Sequence, residues 1–229
     1  QRRGVGQLAA VRALRRDAHS AERFPEDVKE LNSYLEGKSY IPGVSAVPGA
    51  NTNVPIYILG SSMFGASLAA KLGLPYAFAS HFAPQHLEEA TTYYRENFQP
   101  SERFSKPYVI AGVNVTAADT TQEAQEEYER VCFNRVKSFA GRGKYLTDQQ
   151  VEQIIESYQG QQILDMLRYS AVGTTKEVTE YLEKFQEHAK ADELMISLQS
   201  SSHENVIKNM HVLAEGWQLD PANVAGTPR

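Results

Sequence analysis

A chain of 229 residues with 41% hydrophobic side chains can bury a core in one large domain or two small ones. Acidic residues outnumber basic ones, 28 to 23, and the net charge of −5 argues against a nucleic-acid or anionic-membrane surface, since both need a basic face. No run approaches ~20 continuous apolar residues, so no transmembrane helix is expected, and the single cysteine, Cys132, excludes an internal disulfide and fits a reducing cytoplasm.

In chain order, Gln7–Arg16 predicts a helix with Leu8, Val11 and Leu14 on one face. Pro25–Leu35 predicts a second, with proline at a permitted first-turn position. Residues 37–53 hold Pro42, Gly43, Pro48, Gly49 and Asn51 and read as a loop. Strand and helix signals then alternate. Pro55–Leu59 is a short apolar strand, Met63–Leu72 a helix, Tyr76–Ala79 a strand, Pro84–Phe98 a helix and Tyr108–Val115 a third strand. Thr120-x-x-Glu123 is a capping box that opens a helix to about Ser138. Helical stretches at Asp148–Tyr158 and Gln161–Tyr169 follow. A second box, Thr174-x-x-Glu177, opens Lys176–His188. Glu193–Leu198 is a fourth strand, and a last helix runs from His203 to Ala214. Residues 218–229 read as a flexible tail, leaving 1–217 as a single domain.

Continuous apolar strands alternating with helices predict parallel strands covered on both faces. The absence of a GxGxxG after the first strand favours a barrel over a dinucleotide-binding sheet. Four strands make only half of a closed (β/α)8 barrel.

The turn Gly60-Ser61-Ser62, with Met63 and Gly65 following, sits where a buried strand hands over to a helix. Helix N-termini present unpaired N–H groups and partial positive charge. Small residues and two hydroxyls there suit a phosphate cradle, or Ser61 or Ser62 simply caps the helix. Ser80 and His81 end the second strand, where a barrel keeps its site. His81 lines the pocket, with proton transfer a weak alternative, or bonds a backbone carbonyl. Asn114 points at a ligand or is a satisfied core amide. Glu88, Glu89, Glu126, Glu127 and Glu129 read as solvated helix faces. Gly173-Thr174-Thr175 reads as a cap, and Cys132 as buried filler. The histidines show no ligand spacing with cysteine or carboxylates, so no metal is expected. Tyr76, Phe78, Phe82, Tyr108 and Met63 form an aromatic and apolar set read mostly as barrel core or wall.

The stretch "PIYILGSSMFGASLAAKLGLPYAFASHFAP" closely resembles the bacterial-luciferase-like, flavin-dependent monooxygenases. The resemblance continues in order through "YYRENFQPSERFSKPYVIAGVNVTAADTTQEA", "AVGTTKEVTEYLEKF" and "ADELMISL", with "VRALRR" and "FPEDVKEL" before it. It implies a (β/α)8 TIM barrel of which this α/β chain holds the C-terminal half, about four β/α units. The match starts just after the family's fourth strand, and the chain opens on Gln1 rather than Met, like a chain joined partway through. The resemblance therefore places the catalytic residues outside this sequence. It implies reduced FMN as a diffusible co-substrate, its phosphate held by Ser61, Ser62, Met63 and the Gly65 backbone. Arg2 is the phosphate arginine and Arg3 the fallback, although the family's proline is missing there. Ser80 and His81 line the flavin pocket. The implied partners are a small organic substrate of aldehyde or other apolar type, oxygen, a separate flavin reductase and a second subunit in a homodimer. A deazaflavin hydride-transfer enzyme and a non-catalytic flavin-binding subunit share the same fold.

Overall fold

The computed structural model describes residues 22–141, 143 and 145–219. The helix predicted over 7–16, Arg2 and Arg3, and residues 220–229 of the predicted tail lie outside them. The chain divides into two compact units, 1–56 and 57–229.

The first unit holds helix α1, Phe24–Leu35. Pro25 sits in its first turn, and Glu26 and Asp27 face the positive end of its dipole. The loop that follows returns on it, with the Asn53 amide donating to the Leu35 carbonyl at 3.1 Å.

The second unit is one parallel five-stranded sheet with helices between its strands. The order is β1 (Ile58–Gly60), α2 (Met63–Leu72), β2 (Tyr76–Phe78), α3 (Leu87–Asn97), β3 (Val109–Ala117), α4 (Thr121–Gly141), α5 (Asp148–Ile155), α6 (Tyr158–Leu164), β4 (Ser170–Gly173), α7 (Thr175–Ala189), β5 (Glu193–Leu198) and α8 (His203–Gly216). β1 pairs with β2, and β2 pairs with the first three residues of β3. The last four residues of β3 pair with β4, and Ile110–Val115 pairs with β5.

Four strands are predicted, and five are present among the described residues. β4 is missed because Ser170–Gly173 carries only two aliphatic residues and follows directly on helical turns. The helix predicted to run on to Tyr169 ends at Leu164, where a single tight turn, Asp165–Leu167, replaces it.

Strand register separates the two faces of the sheet. Ile58, Tyr76, Phe78, Val109, Ala111, Val113 and Val115 lie on one face and are all buried. Here Tyr76 meets Tyr94 of α3 with ring centroids 5.5 Å apart, and the Tyr94 hydroxyl donates to the Leu74 carbonyl at 2.9 Å. Tyr76 and Phe78 are therefore core beneath the helices. On the other face lie Leu59, Ile110, Gly112, Asn114, Thr116, Met195 and Ser197. Leu59 is 70% exposed and Met195 56%, so this face leaves apolar side chains uncovered, as half a barrel would. In the interior strand β3, after Ile110, this face carries a glycine, an amide and a hydroxyl in place of large aliphatics.

The Gly73-Leu74-Pro75 turn returns the chain from α2 to β2. Gly73 closes the helix in the left-handed region at φ 61°, and a Cβ there would fall 2.4 Å from the Gln99 carbonyl oxygen. Both the backbone conformation and the contact exclude a side chain. Gly73→Ala is expected to lower stability by at least about 2 kcal/mol, read as a reduced midpoint in urea unfolding of the full chain.

Candidate functional site

The strand ends bring the candidate residues to one rim of the sheet. At β1, Gly60 leads through Ser61 into Ser62, the N-cap of α2, in extended conformation at φ −150° and ψ 163°. Ser62 makes no side-chain capping bond. Thr147, Ser157, Thr174 and Ser202, at the starts of α5, α6, α7 and α8, all make one. The capping reading of Gly173-Thr174-Thr175 thus holds, and the capping reading of Ser62 does not. The first turn of α2 holds no acidic residue, so no carboxylate of its own helix competes for the Ser62 hydroxyl and the first-turn amides.

Two glycines fix the approach of this turn to the sheet. Gly65 is buried, and a Cβ on it would meet the Tyr76 ring at 3.2 Å and the Gly60 Cα at 3.6 Å. The Tyr76 hydroxyl donates to the Ser62 carbonyl at 3.1 Å. Gly65 therefore lets the helix start sit against Tyr76. Met63 lines a shallow groove of about 470 Å³ together with Glu88, Glu89 and Glu96. Carboxylates on that side repel an anion, so Met63 can serve a phosphate only through its backbone N–H.

At β2, Ser80 is fully buried and its hydroxyl donates to the Gly112 carbonyl at 2.5 Å. That bond ties the end of β2 to β3, and the hydroxyl serves the sheet. His81 follows, its ring lying against the Gly112 backbone, where a Cβ would come within 2.2 Å of Nδ1. Burial, and then the Arg135 guanidinium, lower the His81 pKa and favour the neutral ring. Arg135 comes from α4 and donates to Gln199 Oε1 at 3.0 Å, and Gln199 donates to Ser197 Oγ at 2.9 Å. The rim is thus built from β2, β3, β5 and the long helix α4.

Three residues the sequence misplaces or passes over belong here. Gly112 has a signal, since an isolated glycine inside an apolar strand marks close approach of another group. Arg135 has none. Glu127 reads as solvated within a run of carboxylates, yet it is only 7% exposed. Its carboxylate accepts from the Ser201 amide, from Ser201 Oγ at 2.9 Å, from Asn205 Nδ2 at 2.9 Å and from Arg130 Nε at 2.9 Å. It ties α4 to the loop between β5 and α8. Glu127, Arg130 and Asn205 line a cleft of about 270 Å³ with Ala117, Ser200 and Lys208. His203 is exposed on the first turn of α8. Cys132 is half-buried, with its thiol pKa raised by burial. Among the described residues, no group of three or more His, Cys, Asp or Glu side chains is arranged to hold a metal, and no helix is long and apolar enough to cross a membrane.

Residues 10–192 match the model of the luciferase-like monooxygenases. The chain belongs to that family. It is 38% identical over 198 residues to an Escherichia coli (strain K12) luciferase-like monooxygenase, an alignment covering 84% of this chain and 58% of the relative. It is 36% identical over 220 residues to the Bacillus subtilis (strain 168) protein YvbT, covering 94% of this chain and 65% of YvbT. Among solved structures, apo-MsnO8 superposes with a TM-score of 0.71 at 27% identity, over 88% of this chain and 61% of that one. The chain thus spans roughly six-tenths of the length of these relatives. Its parallel β/α order is that of part of a luciferase-like barrel.

Burial alone would raise the Glu127 pKa, but hydrogen bonds from Ser201, Asn205 and Arg130 outweigh it and hold the pKa below the ordinary value of 4.5. A carboxylate whose folded pKa is depressed stabilises fully above its unfolded pKa, and that stabilisation is lost as pH falls through the folded value. Glu127→Gln should therefore lower stability at neutral pH by about 1–3 kcal/mol. The gap to the parent should close in acid, below the carboxylate range, in denaturant melts run across pH.

Proposed function

We propose that this chain is the flavin-holding part of a flavin-dependent monooxygenase that uses reduced FMN and oxygen to oxidise a small, largely apolar organic molecule. The observation that carries the reading is the N-terminus of α2. Ser62 holds an extended N-cap conformation without capping, and no acidic residue follows in the first turn. An uncapped helix start with two hydroxyls beside it supplies the donors and the partial charge that a phosphate needs. Membership of the family and the position of this turn at the carboxyl end of β1 support the reading further.

In this reading the Ser61 and Ser62 hydroxyls and the amides of Met63 and Gly65 hold the phosphate, with Arg2 as the opposing cation. A guanidinium suits a phosphate because its planar fork binds two oxygens at once. Reduced flavin supplies the oxygen-activating chemistry when bound, and the protein supplies binding, orientation and exclusion of water. His81 and Ser80 close the rim at β2, and neutral His81 is able to hold or pass a proton there. Leu59, Ile110 and Met195, on the same sheet face as Asn114, give an organic substrate an apolar wall. The same reading brings a separate flavin reductase, a homodimer and a cytoplasmic location.

Two measurements test it. Oxygen uptake by the full-length gene product, supplied with reduced FMN and a panel of long-chain aldehydes, should exceed the rate of free flavin. An equal rate would sink the reading, and tighter binding of a reduced deazaflavin than of reduced FMN would redirect it to hydride transfer. In fluorescence titrations, Ser62→Ala should weaken FMN binding by about 1–2 kcal/mol, the scale of a hydrogen bond to a charged group. Unchanged affinity would mean that Ser62 does not touch the phosphate.

A further inference from the structure

Two polar atoms on the open face of β3 are buried without a partner. Asn114 is 0% exposed, and its Nδ2 donates to the His81 carbonyl at 3.0 Å. That bond orients the amide and leaves Oδ1 as an acceptor, buried and unpartnered. His81 Nδ1 is likewise buried and unpartnered. Asn114 and Gly112 alternate onto the same face, and the His81 ring lies against Gly112. The two atoms therefore belong to residues in direct contact, at one end of one sheet face.

Buried polar groups in folded proteins are almost always paired, and each exception calls for a partner, a catalytic role or stored strain to explain it. Two on touching residues point to a partner from outside the chain. Its chemistry is constrained. Asn114 Oδ1 only accepts, so the ligand brings a donor. Neutral His81 donates or accepts at Nδ1 according to its tautomer, so an acceptor beside that donor is also matched. Arg135, close enough to His81 to act on its charge, disfavours a cation.

We infer that Asn114 Oδ1 and His81 Nδ1 form a recognition subsite for a neutral hydrogen-bond donor, an imide or amide N–H or a hydroxyl, on a bound organic ligand. This deepens the reading above and rests on its placement of ligands at the carboxyl ends of the strands. Two sources carry that chemistry: the imide edge of the flavin ring and a polar group of the organic substrate. Gly112 makes room for the ring, Ser80 ties β2 to β3 beneath it, and Asn114 orients both partners.

The test pairs probes that differ only in the donor. Lumiflavin and 3-methyllumiflavin, and separately 1-decanol and decyl methyl ether, are titrated into the full chain and into Asn114→Leu. Ring binding is read by flavin fluorescence. The alcohol and ether are read by nitrogen-15 NMR of histidine-labelled protein. If the flavin ring is the occupant, lumiflavin binds roughly tenfold tighter than its methylated form, and Asn114→Leu abolishes the difference. If a substrate hydroxyl is the occupant, the two flavins bind alike, while the alcohol binds roughly tenfold tighter than the ether and shifts the His81 Nδ1 resonance. Should Asn114→Leu fail to fold, discrimination by the parent chain together with movement of that resonance carries the result. No discrimination within either pair, with the resonance unmoved, overturns the subsite. FMN is titrated alongside. FMN binding without any discrimination overturns the subsite alone, and discrimination of the alcohol without FMN binding overturns only the flavin reading.

Discussion

Everything in the second unit hangs on β3. It is nine residues long and buried at every position but Ile110, and it is the strand that receives β2, β4 and β5. A strand so placed must satisfy two demands with one alternating sequence. Val109, Ala111, Val113 and Val115 satisfy the helix-covered face with aliphatic bulk. Gly112, Asn114 and Thr116 face the other way. Each of these answers to a neighbour: Gly112 to the His81 ring, Asn114 to the His81 carbonyl, and Thr116 to the Gln199 carbonyl at 3.0 Å. The strand that builds the core also builds the floor of the site.

The rim above that floor is held by polar ties between distant segments. Ser80 bonds Gly112, Arg135 bonds Gln199, and Glu127 gathers Ser201 and Asn205. Two of these ties start on α4, the long helix after β3. α4 therefore acts as a brace laid from β3 to the loop after β5. Its buried carboxylate works because backbone and amide donors surround it. A charge in that position without them would be expelled to solvent or protonated.

Much of this architecture was legible in the sequence. Apolar runs and capping boxes located most helices, and Met63–Leu72 was bounded correctly from its flanking serine and glycine. Four of the five strands came from their aliphatic content. β4 escaped because a strand of four small residues has no periodicity to read. Of the candidate site, the sequence shows the serines before α2 as a cradle or a cap, and the structure leaves Ser62 without a capping bond. The site was not legible where a tertiary contact reverses the ordinary meaning of a residue. Glu127 looks identical in sequence to exposed Glu126, and only its bonds to a loop 74 residues away make it a buried tie. The Gly65 backbone, expected at a ligand, is explained first by the Tyr76 ring against which it packs.

The charge distribution around α2 sets a condition on any anion bound there. The helix start contributes about half a positive charge, and a phosphate brings up to two negative ones. On the Met63 side the groove is lined by Glu88, Glu89 and Glu96, so the local field from α3 opposes the ligand. Hydroxyls and amides orient a phosphate well but do not neutralise it. An anion held at Ser61 and Ser62 thus depends on a full cation approaching from the side away from α3.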